Sequence, residues 1–282
     1  MSWNPPTYKL VFPDRQIILS RVHIMGVVNV TPDSFSDGGK FFDQDTAIKH
    51  ALRLVEEGAD IIDVGGESTR PGSSSVPADE EWRRVEPVIK ALGRETDVPI
   101  SIDSTKPEVA WKAIEAGAIM VNDVSGLRSK EMVELVAREH VAVTIMHMLG
   151  EPKTMQESPV YQSVVKEVKD YLHGQIQTAI EAGVAKDSII IDPGIGFGKT
   201  VEHNLELINH VSEFAELGRP VMIGASRKSF IGSITRSDVA DRLEGSLAAA
   251  VMAVVRGARI LRVHDVKQTM RAVKVAEAIL KA

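Results

Sequence analysis

The sequence predicts an α/β fold, a single (β/α)8 TIM barrel preceded by an N-terminal β-hairpin. Three observations predict it. A glycine-marked step from helix to strand recurs along the chain. Short apolar runs that close on a polar residue alternate with stretches of helical periodicity. The length of 282 residues suits one barrel, which takes about 250 residues.

The segment KLVFPDRQIIL (9–19) has no helix after it and reads as a hairpin closing the bottom of the barrel. HIMGVVNV (23–30) supplies the first barrel strand, and the Gly- and Ser-rich loop 31–43 follows. Ile48, Ala51, Leu52 and Val55 then recur at helical spacing. EEGADIIDVGG carries the second strand, with a second long loop at 65–80, and VPISIDS (98–104) the third. Thr105 and Glu108 have the spacing of a capping box for the next helix, with Pro107 in its first turn. EAGAIMVNDVSG, VAVTIMHM (141–148), EAGVAKDSIIIDPG, PVMIGAS (220–226) and VRGARILRVHD complete eight strands. Helical patterns cover roughly 160–182, 200–217, 241–256 and 266–281. Gly58, Gly117, Gly183 and Gly257 each follow a charged helix end, where a left-handed cap favours glycine. Strand–helix alternation of this kind reads as a parallel barrel. No linker or low-complexity tract interrupts 1–282, so one domain is expected.

Composition removes several function classes. The formal net charge of −6 argues against a nucleic-acid partner. An anionic substrate would need local Arg and Lys to overcome that field. The absence of cysteine excludes a disulfide scaffold, a thiolate nucleophile and a Cys-ligated zinc site. No signal peptide and no membrane-length apolar run is read, so a cytoplasmic protein is expected.

Barrel active sites lie at the carboxyl ends of the strands. Those ends carry Asn29, Asp63, Asp103, Asn122, His147, Asp192, Ser226, Arg262 and His264. Asp and Asn also favour turns, which explains single members of the set. Acid, amide, Arg and His together on one rim point to a site. Arg262 and His264 are two apart on the last strand and so point the same way, as a diphosphate site requires. Loops 31–43 and 65–80 are long enough to act as lids. DPGIGFGK (192–199) has Pro193 where a nucleotide P-loop needs its first glycine, so nucleotide binding is rejected. Its glycines suggest backbone close to a flat ligand, with Phe197 in the floor. SRKS (226–229) places Lys228 and Ser229 on a turn into a helix, suited to an anion or carboxylate. The remaining histidines read as surface or strand-start residues, and His147 stays ambiguous.

The ordered motifs MGVVNVTPDSFSDGG, ADIIDVGGESTRPG, ISIDSTKPEVA, NDVSG, MHMLGEPKTMQ, IIIDPGIGFGK, GASRKSFIG and RVHDV resemble those of the dihydropteroate synthase family of pterin-binding barrels. The resemblance implies condensation of a dihydropterin methyl diphosphate with 4-aminobenzoate. It implies pterin binding by Asp103, Asn122, Met146, Asp192, Phe197, Gly224, Lys228 and Arg262. Asn29, Arg262 and His264 match its diphosphate site, with Mg²⁺ bridging Asn29 and the substrate. Phe35, Thr69, Arg70, Pro71, Lys228 and Ser229 match its 4-aminobenzoate pocket, which in the family also accepts sulfonamides. Asp103, Arg262, His264 and Lys228 would carry the catalysis, in a homodimer.

Two rival readings are a pterin-dependent methyltransferase barrel and a non-catalytic pterin-binding barrel. The first has no need of the Arg262/His264 pair or of SRKS, and the second would be expected to lose polar rim residues.

Overall fold

The computed structural model describes residues 6–31, 44–69, 73, 75–150, 154–157 and 159–282. Two antiparallel strands, β1 (Tyr8–Val11) and β2 (Gln16–Leu19), form the expected hairpin. Eight parallel strands follow: β3 (His23–Asn29), β4 (Ile61–Gly65), β5 (Ile100–Asp103), β6 (Met120–Asp123), β7 (Ala142–Met146), β8 (Ile189–Asp192), β9 (Met222–Ile223) and β10 (Ile260–Val263). They are ordered β8-β7-β6-β5-β4-β3-β10-β9. An Ile191–Val221 bridge joins the two ends of that order and closes the barrel.

Helices wrap the outside: α1 (Gln44–Glu56), α2 (Ala78–Glu95), α3 (Pro107–Glu115), α4 (Lys130–Glu139), α5 (Val164–Glu181), α6 (Val201–Asn209), α7 (Val211–Ala215), α8 (Ser229–Thr235), α9 (Leu243–Val255) and α10 (Val266–Lys281). The four glycines of the repeated unit have φ of 98°, 113°, 100° and 111°, a region that a Cβ disfavours. Each reverses the chain from a helix into the next strand, which is why the unit was visible as a repeat.

The capping box expected at Thr105 and Glu108 does not form. Pro107 takes the first helical position, which makes Lys106 the extended cap residue, with no side-chain cap. A box would then need an acceptor at residue 109, which is Val109. Glu108 instead pairs with Lys112 at 2.8 Å.

Side chains from strands β3 to β10 alternate between the barrel interior and the helix layer. The outward set builds the main core with the helices. The inward set begins, at the bottom, with a separate apolar cluster of Met25, Ile61, Met120, Ala142, Ile190, Met222 and Ile260. Leu10, Phe12 and Leu19 of the hairpin belong to this cluster and cover it. The opposite end of the barrel is therefore the one left open. No described helix is long and apolar enough to cross a membrane.

Candidate active site at the barrel mouth

Two residues further along the strands, the inward positions change character. Asp63 on β4, Asn122 on β6, Asp192 on β8 and Arg262 on β10 replace the apolar layer, with Asp103 at the end of β5. The four polar residues other than Arg262 are buried. Arg262 donates from Nε to Asp63 Oδ2 at 2.7 Å and from Nη2 to Asp103 Oδ2 at 2.6 Å. Asn122 donates from Nδ2 to the same Asp63 oxygen at 3.0 Å. Asp63 is fully buried and holds Arg262 and Asn122 together, although its own role was not read from the sequence.

With Nδ2 committed to Asp63, Asn122 turns Oδ1 away as an acceptor. Asn122 Oδ1 and Asp103 Oδ1 are both buried without a hydrogen-bond partner among the described residues. A buried acceptor left unpaired costs about 1–3 kcal/mol, and a donor brought to this edge of the mouth would offset that cost. Burial pushes the Asp103 carboxyl up to about 7, against the pull of Arg262. For Arg262 burial acts downward, but the two carboxylates outweigh it and hold the guanidinium above its ordinary value.

Asp192 lies across the mouth. Its Oδ1 accepts the Gly194 N–H at 2.7 Å. Burial raises its pKa, with Lys228 the largest opposing influence. Burial likewise lowers Lys228 to about 8, and Asp192 opposes that. Gly224 sits between Asp192 and Arg262. A Cβ there would meet Arg262 Cβ at 3.7 Å and Asp192 Oδ2 at 4.0 Å, ordinary contact distances. Glycine at 224 thus keeps a slot open rather than relieving a clash.

The loop 193–200 forms one wall. Gly194 has φ of 73°, and a Cβ there would meet His147 O at 1.9 Å, so only glycine lets this loop lie against the end of β7. Phe197 packs on the cluster of Val124, Met146, Met148 and Met155. Lys228 Nζ lies 4.3 Å from the centroid of the Phe197 ring and also donates to Ile195 O. Phe197 and Met146 are thus neighbours beside Lys228, as a floor for a flat ring requires.

Lys228 is aimed by the turn before it. Arg227 adopts φ of 59°, strained for a residue with a Cβ. Its guanidinium grips Asp265 with bonds of 2.9 and 2.6 Å, tying the SRKS turn to the end of β10. His264 stands on the same rim, half-buried, with Nδ1 3.1 Å from Ser226 Oγ. Asn29 ends β3, half-buried and in register with Gly65. Ser229 opens α8 and is exposed, while Thr69 is half-buried after β4. Phe35, Arg70 and Pro71 lie outside the described residues.

Residues 25–264 match the family described as pterin binding enzyme. The dihydropteroate synthase of Escherichia coli (strain K12) is 46% identical over 274 residues, 97% of this chain and 97% of its own length. The chain belongs to the dihydropteroate synthase family. A solved structure of the Xanthomonas albilineans dihydropteroate synthase with 4-aminobenzoic acid is 46% identical and has a TM-score of 0.92, covering 98% of this chain and 100% of that one. Another from the same organism, in complex with 7,8-dihydropteroate, is 44% identical with a TM-score of 0.88, covering 97% and 99%.

One feature of this dihydropteroate synthase-family site had no signal in the sequence. Lys199, at the end of the glycine loop, is buried and donates to Phe197 O at 2.9 Å. Its Nζ lies 3.0 Å from His147 Nδ1. Burial, then the nearby Lys199, lowers His147 to about 3. Burial also drives Lys199 well below its ordinary value. His147, ambiguous in the sequence, is thereby bound to Lys199 beneath the Phe197 loop, where it holds that wall in place.

Proposed function

We propose that the protein condenses (7,8-dihydropterin-6-yl)methyl diphosphate with 4-aminobenzoate to give 7,8-dihydropteroate and diphosphate. The observation that carries this is the mouth itself, where a buried carboxylate stands on each side of a slot and acceptors on one edge lack partners among the described residues. A pterin presents N3–H and an exocyclic amine side by side, and Asp192 can accept both. Asp103 and Asn122 take the opposite edge, Lys228 the N5/O4 side, and Arg262 lies over the ring. Met146, Phe197 and Gly224 complete the slot. Asn29, Arg262 and His264 hold the diphosphate. Thr69, Arg70, Pro71, Phe35, Lys228 and Ser229 hold the amine.

An aryl amine is a poor nucleophile, so the electrophile must be generated for it. The bond between the methylene and the diphosphate oxygen breaks, and the electron pair leaves with diphosphate. Positive charge spreads into the dihydropterin ring, where the Asp103 carboxylate opposes it. The amine nitrogen then bonds to the methylene and releases its proton. Arg262 and His264 donate to the oxygens on which negative charge grows. Closing loops would exclude water that competes with the amine.

Among the described residues no group of three His, Asp or Glu could hold a metal alone. A Mg²⁺ at this mouth would take substrate oxygens as its main ligands, with Asn29 adding one. When bound, it would neutralise diphosphate charge.

We infer one domain across 1–282, working in the cytoplasm as a homodimer. Met252 and Val255 on α9 and Val275 and Ile279 on α10 are exposed apolar side chains on two adjoining helices, which supports an interface there.

Labelled diphosphate supplied without amine should exchange into the pterin substrate. Absence of exchange would contradict bond breaking before attack. Thermal shift with the pterin diphosphate, with and without Mg²⁺, tests the metal. Diphosphate release that depends on 4-aminobenzoate separates this reading from both rival barrels.

A further inference from the structure

The loop after β4 leaves at Glu67 and returns at Val76 into α2. Glu67 Oε2 accepts the Val76 N–H at 2.9 Å and so joins the two ends of the loop at its base. Lys106 donates to that same oxygen and, at 2.6 Å, to Glu81 Oε2 on α2. Glu81 is fully buried, and its Oε1 has no hydrogen-bond partner among the described residues. Lys106 follows Asp103 by three residues and is held by the backbone cap of α3. One ammonium thus ties the stem of the loop that carries Thr69 to a buried helix anchor and to the strand end that carries Asp103.

We infer that Lys106 and Glu67 form a clamp that sets the posture of the Thr69 loop and so governs affinity for the aryl amine. This rests on the reading that the loop forms the amine pocket. Lys106 is a positioning residue, since it acts through Glu67 rather than on substrate. A charge-assisted bond in a half-buried setting is stronger than a neutral one and fixes direction. Losing the clamp leaves Thr69 where it is in sequence but frees the loop to sample other postures. The ordering entropy then falls on amine binding. The pterin slot, built on strand ends rather than on this loop, keeps its geometry.

The test measures kcat, the Michaelis constant for each substrate and the Kd of a pterin analogue for Glu67→Gln, Lys106→Gln, Lys106→Arg and Thr69→Ala. Glu67→Gln and Lys106→Gln should raise the constant for 4-aminobenzoate by roughly fivefold to twentyfold, with pterin affinity within about twofold. Lys106→Arg should restore most of the loss. Lys106→Gln strands the buried Glu81 and can fail to fold. Glu67→Gln leaves Lys106 and Glu81 paired and then decides alone. An unchanged constant for the amine, or equal weakening of both substrates, overturns the clamp. If Thr69→Ala raises that constant while the clamp variants do not, the clamp falls and the loop assignment stands. If Thr69→Ala has no effect either, the loop assignment falls and the clamp with it.

Discussion

At the bottom of the barrel, Ile61, Met120, Ile190, Met222 and Ile260 point inward and meet Leu10, Phe12 and Leu19 of the hairpin. Two residues later on those same strands, the inward side chains are Asp63, Asn122, Asp192, Gly224 and Arg262. The backbone is continuous through both layers, and only the side-chain identity at alternate positions changes. The lower layer removes apolar surface from water, the dominant favourable contribution to folding. The upper layer does the reverse, since buried charges are paid for in stability even when paired. Arg262 bonds one oxygen of each of two carboxylates, yet Asp63 Oδ1, Asp103 Oδ1 and Asn122 Oδ1 have no partner among the described residues. One end of the barrel thus holds the fold, and the other keeps buried polar groups at the mouth of the proposed site.

The largest effect should come from breaking the upper layer. Arg262→Lys keeps the charge but loses the planar fork that reaches Asp63 and Asp103 together. Turnover should fall roughly 10²–10³-fold, the loss typical of one transition-state donor. His264→Ala should lower turnover and leave binding of pterin analogues without diphosphate unchanged. Because both side chains act on one leaving group, the double variant should lose less than the sum of the singles. Steady-state turnover at saturating Mg²⁺ decides this, and strict additivity would separate the two roles.

The lower layer should respond in the other currency. Leu10 is fully buried beneath the barrel. Leu10→Ala should destabilise the protein by about 2–5 kcal/mol in denaturant unfolding. Both Michaelis constants should stay near wild type. A shift in substrate affinity without loss of stability would show that the two ends are not separable.

A smaller effect sharpens the account of the upper layer. Burial holds Asp103 at about 7, well above an ordinary carboxylate. Below that pH the group gains a proton and loses the charge that opposes the pterin cation. Activity should therefore decline as pH falls through about 7 and be retained above it. Asp103→Asn should remove that limb of the kcat/KM profile along with most of the activity. An unaltered acid limb would assign it to another group.

Much of this was legible in the chain. The four cap glycines and the closing polar residues made the barrel visible, because helix caps and strand ends are local events. The hairpin was legible from the lack of a helix after it. Candidate site residues at strand ends were legible by type, since the fold places such ends on one rim. Partnerships were not legible. Asp63 and Arg262 are 199 residues apart, and nothing local says that one carboxylate serves both Arg262 and Asn122. The burial of Lys199 was not legible either, because it depends on His147 and on the three-dimensional path of the glycine loop. Thr105 does not cap α3 because Pro107 at the first helical position moves the helix start on by one residue.

Under the proposed function, the buried carboxylate of Asp192 accepts the donor edge of a pterin in the upper layer. Calorimetric titration of a pterin analogue without diphosphate into wild type and Asp192→Asn tests it most directly. The amide would set a donor against the ligand's donors, an unpaired arrangement that costs about 1–3 kcal/mol and weakens binding roughly fivefold to 150-fold. The melting temperature should stay at or above wild type, because a desolvated charge has been removed. Unchanged affinity in a folded Asp192→Asn variant would contradict the account and take Asp192 out of the site.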